Sequence, residues 1–114
     1  MHVPNAEAAF VSERKFLEYL LSDTHPVGRF KAAFFKSLGY SLDATDDLKQ
    51  ALFAILANEV TEVSDNAYGT KYVVRGVVTG PNGTSRAIVT VWIILSEEQS
   101  PRFVTAYPEE GSDD

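Results

Sequence analysis

The hydropathy period of the chain changes at Val60, from the three-to-four spacing of helices to the alternation of strands. That single change dictates the class: helices come first and a sheet comes second, so the fold is expected to be α+β. Thr70–Thr79 and Ser85–Leu95 are strong strands, and Gly80-Pro81-Asn82-Gly83 between them has the composition of a hairpin turn. Val60–Tyr68 alternates moderately, Gly69 follows as a turn residue, and Arg102–Tyr107 forms a last strand before Pro108. Strands joined by such short connections make a four-stranded antiparallel meander, with the helices on one of its faces.

About three helices are expected ahead of the sheet. Ser12 suits the N-cap of a helix through Leu21, with Phe16, Leu17, Leu20 and Leu21 on one stripe. Pro26 suits the first turn of a second, which runs through Phe30, Ala33, Phe34 and Leu38 and stops at Gly39. A third begins near Asp43–Asp47, whose acids complement the helix dipole, and buries Leu48, Ala51, Leu52, Ile55 and Leu56. Before them, Pro4 marks an extended lead-in, and Ala9-Phe10-Val11 suits a short edge strand.

One domain over 1–108 is the expected organisation for 114 residues, followed by an acidic, disordered tail over 109–114. The net charge is −6, and Glu109, Glu110, Asp113 and Asp114 supply four of those negative charges. This is far from the basic footprint of a general nucleic-acid binder. The chain has no cysteine, which excludes disulfides, thiolate metal sites and cysteine nucleophiles. Its apolar runs are shorter than a membrane span, and Met1–Asn5 lacks the pattern of a signal peptide, so a cytoplasmic protein without a membrane partner is expected. Neither a glycine-rich phosphate loop nor a nucleophile elbow occurs, the two histidines lack carboxylates at ligand spacing, and no metal or other cofactor is expected.

On the strand Ser85–Leu95, the set Ala87, Val89, Val91, Ile93 and Leu95 is wholly apolar and is expected to pack against the helices. The opposite set, Arg86, Ile88, Thr90, Trp92 and Ile94, is mixed. Aligned with Lys71 and Arg75 of the preceding strand, and with Thr105 and Tyr107 of the last, it would present cations, hydroxyls and aromatic rings on one open face. Arginine forks match phosphate oxygens and aromatic faces stack bases. The same pattern also describes an antiparallel sheet with one ordinary solvated face. In His25-Pro26-Val27-Gly28-Arg29-Phe30-Lys31, a histidine and a lysine stand near a helix start, where they suit either acid–base chemistry or simple capping. Gly28 in that first turn costs about 1 kcal/mol relative to alanine, which suits a close approach by backbone or ligand.

The stretch from His25 through Phe34-Phe35-Lys36-Ser37-Leu38-Gly39-Tyr40, and the ending Pro101-Arg102-Phe103-Val104-Thr105-Ala106-Tyr107-Pro108, resemble an uncharacterised family of small bacterial proteins, abundant in cyanobacteria and labelled a domain of unknown function. The order of helices and strands is more loosely similar to the superfamily of barnase, EndoU, colicin-type and RelE ribonucleases. That second resemblance implies metal-independent RNA cleavage through attack by the ribose 2′-hydroxyl. It implies catalytic roles for His25, Lys31, Arg75, Arg86 and Thr105, and substrate contacts from Lys71, Thr90, Trp92 and Tyr107. RNA as substrate and a neutralising protein as partner follow from it, with the oligomeric state left open. A non-catalytic module that binds a protein through the open sheet face is the alternative.

Overall fold

The computed structural model describes residues 1–12, 34–40 and 45–109. The helix expected after the Ser12 cap, through Leu21, and both His25 and Lys31, lie outside the described residues. A 3-10 turn spans Ala6–Ala8. Two α-helical stretches stand among the described residues, rather than three: α1 over 34–37 and α2 over Thr45–Ile55. Four strands follow: β1 (Val60–Asp65), β2 (Gly69–Thr79), β3 (Ser85–Leu95) and β4 (Arg102–Pro108). They form one sheet in the order β1-β2-β3-β4, antiparallel at every step. The expected α+β meander is therefore present. Phe10 adds an isolated parallel bridge to Arg102 at the outer edge of β4, the place expected of a short edge strand.

Helix α2 forms because Leu48, Leu52 and Ile55 recur at helical spacing and all are buried, while Asp46 and Asp47 occupy its first turn. It lies close against β2 because residue 76 is glycine. A Cβ there would come within 2.9 Å of Ile55 Cγ1 and 2.8 Å of Asn58 Nδ2. Asn58, just past the helix, donates to the Arg75 carbonyl at 2.9 Å and ties the helix end to the strand.

The hairpin between β2 and β3 closes the end of α1. Asn82 donates its backbone N–H to Leu38 O at 3.3 Å and its amide to Ser37 O at 2.8 Å. Carbonyls that a helix end leaves unpaired thus find donors in the turn. Gly39 takes φ 100°, a conformation suited to glycine, and allows Tyr40 to fold back into the core. Tyr40 then donates a long hydrogen bond to Thr79 O at 3.4 Å. The Leu38-Gly39-Tyr40 segment, one of the most distinctive in the chain, is a structural dock for the hairpin.

The core sits between the helices and one face of the sheet. Val74, Val78, Ile88, Trp92, Phe103 and Ala106 supply the sheet side, and Phe35, Leu38, Leu48 and Leu52 the helical side. Trp92 lies between Phe53 and Phe103, with ring centroids at 6.2 and 5.3 Å.

Candidate functional site

The register assigns each strand residue to a face, and it reverses the expected assignment on β3. Tyr72 faces Trp92 and Phe103; Val74 faces Thr90 and Ala106. All six lie on the helix-facing side. Thr90 and Trp92, expected as substrate contacts on the open face, are both 0% exposed. The physical reason is a hydrogen-bond chain: Trp92 Nε1 donates to Thr90 Oγ1 at 2.9 Å, and Thr90 Oγ1 donates to Val74 O at 2.8 Å. A tryptophan brings the largest apolar area on the strand into the core, and its N–H needs a partner there. The threonine two residues away, on the same face, provides it. Arg86 pairs with Val78 and falls on this side too, at its exposed end, away from Arg75.

The outer face holds the other set. One rung runs Arg75–Val89–Tyr107, the next Glu62–Val73–Val91–Thr105, and a third Ser64–Lys71–Ile93–Arg102. Lys71, Arg75, Thr105 and Tyr107 are thereby brought to one face, as expected. Arg86, Thr90 and Trp92 are not. A register shift between Val91 and Trp92 gives β4 one extra residue, so that both Phe103 and Ala106 reach the core while Thr105 and Tyr107 remain outside.

Arg75 is the centre of this face. Its strand is paired on both sides, and its carbonyl is held by Asn58, so its backbone is fixed. Its guanidinium is less tightly engaged. Nη1 lies 3.4 Å from Glu109 Oε2, Nη2 lies 3.9 Å from Glu62 Oε2, and Nε donates to Thr61 Oγ1 at 3.5 Å. Charge-assisted hydrogen bonds are normally about 2.7–2.9 Å, so none of these contacts saturates the fork. Arg102 differs: it holds Glu98 with both carboxylate oxygens at 3.0 and 3.1 Å, and its guanidinium carbon lies 5.2 Å from the centre of the Phe10 ring. Arg102 is held by one close carboxylate and a ring, whereas Arg75 is spread over longer contacts to two carboxylates and a hydroxyl. Lys71 makes no hydrogen bond or ion pair among the described residues, which leaves a second cation four positions along β2.

Sequence reasoning missed the two carboxylates beside Arg75. Glu109, expected in the tail, is held to the sheet: its N–H donates to Ala87 O at 3.0 Å, and its side chain is 30% exposed. Its position directly after the last strand was the available signal. Residues 110–114 lie outside the described residues. No helix among the described residues is long and apolar enough to cross a membrane.

Comparison with known proteins supplies a family and a fold. A family model described as a domain of unknown function, DUF6883, matches residues 2–110. A chain of a contact-dependent growth inhibition toxin–immunity protein complex from Klebsiella pneumoniae 342 is similar in structure, with a TM-score of 0.72 and 20% identity. The likeness covers 93% of this chain and 97% of that one, and it shows a shared fold. No curated protein matches the sequence. The family match spans nearly the whole chain, which therefore belongs to the DUF6883 family.

Proposed function

We propose that this member of the DUF6883 family is a toxin-like endoribonuclease domain that cleaves RNA through 2′-hydroxyl attack on the adjacent phosphate, without a metal. The observation that carries the reading is Arg75: an incompletely saturated, partly exposed guanidinium on the outer face of the sheet, carried by a backbone that is held on both sides. Such a fork binds phosphate oxygens and stabilises the charge that develops on them, commonly the largest contribution to this kind of catalysis. The shared fold with a chain of a toxin–immunity complex supports the toxin-like character.

In this reading the RNA lies across β2, β3 and β4. Arg75 takes the scissile phosphate and Lys71 an adjoining one. Tyr107, two strand spacings from Arg75 or roughly 10 Å between backbones, stacks a base. Thr105, on the same face of β4, orients ribose or phosphate. His25 and Lys31 complete the reading as proton donor and electrostatic aid; both lie outside the described residues. Thr90 and Trp92 support the sheet from behind and make no contact with RNA. Arg86, on the other side, takes no part in the chemistry. A neutralising protein partner would cover the same outer face.

A second reading is favoured by a separate observation. Val77 is 66% exposed on the outer face, Val73, Val91, Ile93 and Leu95 are partly so, and the chain carries −6 overall. A face of that kind also suits a non-catalytic protein-binding module, akin to the immunity side of such a pair. Incubation of the purified chain with total and transfer RNA in EDTA separates the two. Cleavage that leaves 2′,3′-cyclic phosphate ends, and falls at least a hundredfold in His25→Ala, supports the ribonuclease. Intact RNA throughout supports the binding module.

A further inference from the structure

The ribonuclease reading leaves the proton on the 2′-hydroxyl without a taker among the described residues, and the surroundings of Arg75 supply one. We infer that Glu109 is the general base. This inference rests on the ribonuclease reading.

Two carboxylates approach Arg75, and they are not equivalent. Glu62 stands on the edge strand β1, 3.9 Å from Nη2, with its side chain 69% exposed. Glu109 stands at the end of β4, 3.4 Å from Nη1, with its side chain 30% exposed and its N–H anchored to Ala87 O. The anchored, less solvated carboxylate is the better placed of the two. A phosphate held by the Arg75 fork would bring its neighbouring ribose within one side-chain length of Glu109. General bases often make long contacts in an empty site and tighten only around substrate.

The step balances as a transesterification. The 2′ oxygen gives its proton to a Glu109 carboxylate oxygen and forms a bond to phosphorus. The bond from phosphorus to the 5′ oxygen breaks, and that oxygen leaves with a proton from His25 or water. The products are a 2′,3′-cyclic phosphate and a free 5′-hydroxyl. Nothing is oxidised or reduced.

The carboxylate has a competing role, as a plug that occupies the phosphate fork until RNA displaces it, and the two roles predict opposite results. As base, Glu109→Gln lowers the single-turnover cleavage rate of a transfer RNA by about a hundredfold or more, the usual share of a positioned base. RNA affinity stays the same or tightens, because a negative charge facing phosphate has gone. The thermal midpoint stays within a few degrees, since the backbone anchor is untouched. Glu62→Gln, measured alongside, changes the rate less than threefold. An unchanged or faster rate in Glu109→Gln, with wild-type cleavage present, overturns the assignment and leaves the ribonuclease reading standing. An inert wild type overturns both.

Discussion

On the helix-facing side of β3, Trp92 and Thr90 are fully buried and satisfy each other's hydrogen-bonding groups. One residue away on the outer side, Val89 is 3% exposed, yet it lies outside the main core cluster, flanked in its rung by Arg75 and Tyr107. Both sides bury apolar area, but by different means. The inner side is closed by packed rings from three elements. On the outer side Val89 is flanked instead by an arginine and a tyrosine, side chains that pack an apolar stem or ring and keep a polar end in solvent. A sheet of this kind can spend one face on stability and keep the other for binding.

That division can be broken by substitution. Trp92→Ala should cost the most, about 3–5 kcal/mol of unfolding free energy, because it opens a cavity between Phe53 and Phe103. Urea denaturation measures it, and a loss below about 1 kcal/mol would mean that the inner face is not the core. Thr90→Val should cost less, about 1–3 kcal/mol, by leaving the Trp92 N–H buried without its acceptor.

Tyr40, also on the inner side, titrates above its ordinary 10.0 because burial disfavours the phenolate and Asp47 adds to the effect. A raised folded value means that its contribution to stability is complete below about pH 10 and is lost as the unfolded tyrosine, then the folded one, ionises. Melting temperature should therefore fall above pH 10, and Tyr40→Phe should blunt that fall. Val77→Thr, on the outer face, should have the smallest effect, within about 0.5 kcal/mol, since the side chain is 66% exposed.

The period of the strands was legible in the sequence; the side each set faces was not. Alternation placed β2 and β3 within a residue of their observed bounds, and Gly80–Gly83 announced the hairpin. Hydropathy then favoured the wholly apolar set of Ala87, Val89, Val91, Ile93 and Leu95 for the core. It undervalued Trp92, whose volume is largest, and it scored Thr90 as polar although its hydroxyl closes a hydrogen bond inside. What decided the matter was a pairing of residues two apart, which a residue-by-residue scale does not see. The bulge in β4 has no local signature, and it sets which of Thr105 and Val104 faces out. At the site, Lys71, Arg75, Thr105 and Tyr107 were nominated and share a face. Glu109 was overlooked because its run of acidic neighbours made it look like solvated tail.

The central claim is that the outer face, and not the inner one, carries the chemistry. Arg75 and Arg86 lie on opposite faces of the same hairpin, are both exposed, and are the same residue type, so they form a matched pair. The deciding measurement compares RNA cleavage in EDTA by Arg75→Ala and Arg86→Ala, each verified as folded by its melting transition. The account predicts a loss of about 10²–10³ in rate for Arg75→Ala, the usual cost of removing a charge-stabilising donor, and near wild-type cleavage for Arg86→Ala. Equal losses, or a loss confined to Arg86→Ala, would contradict it.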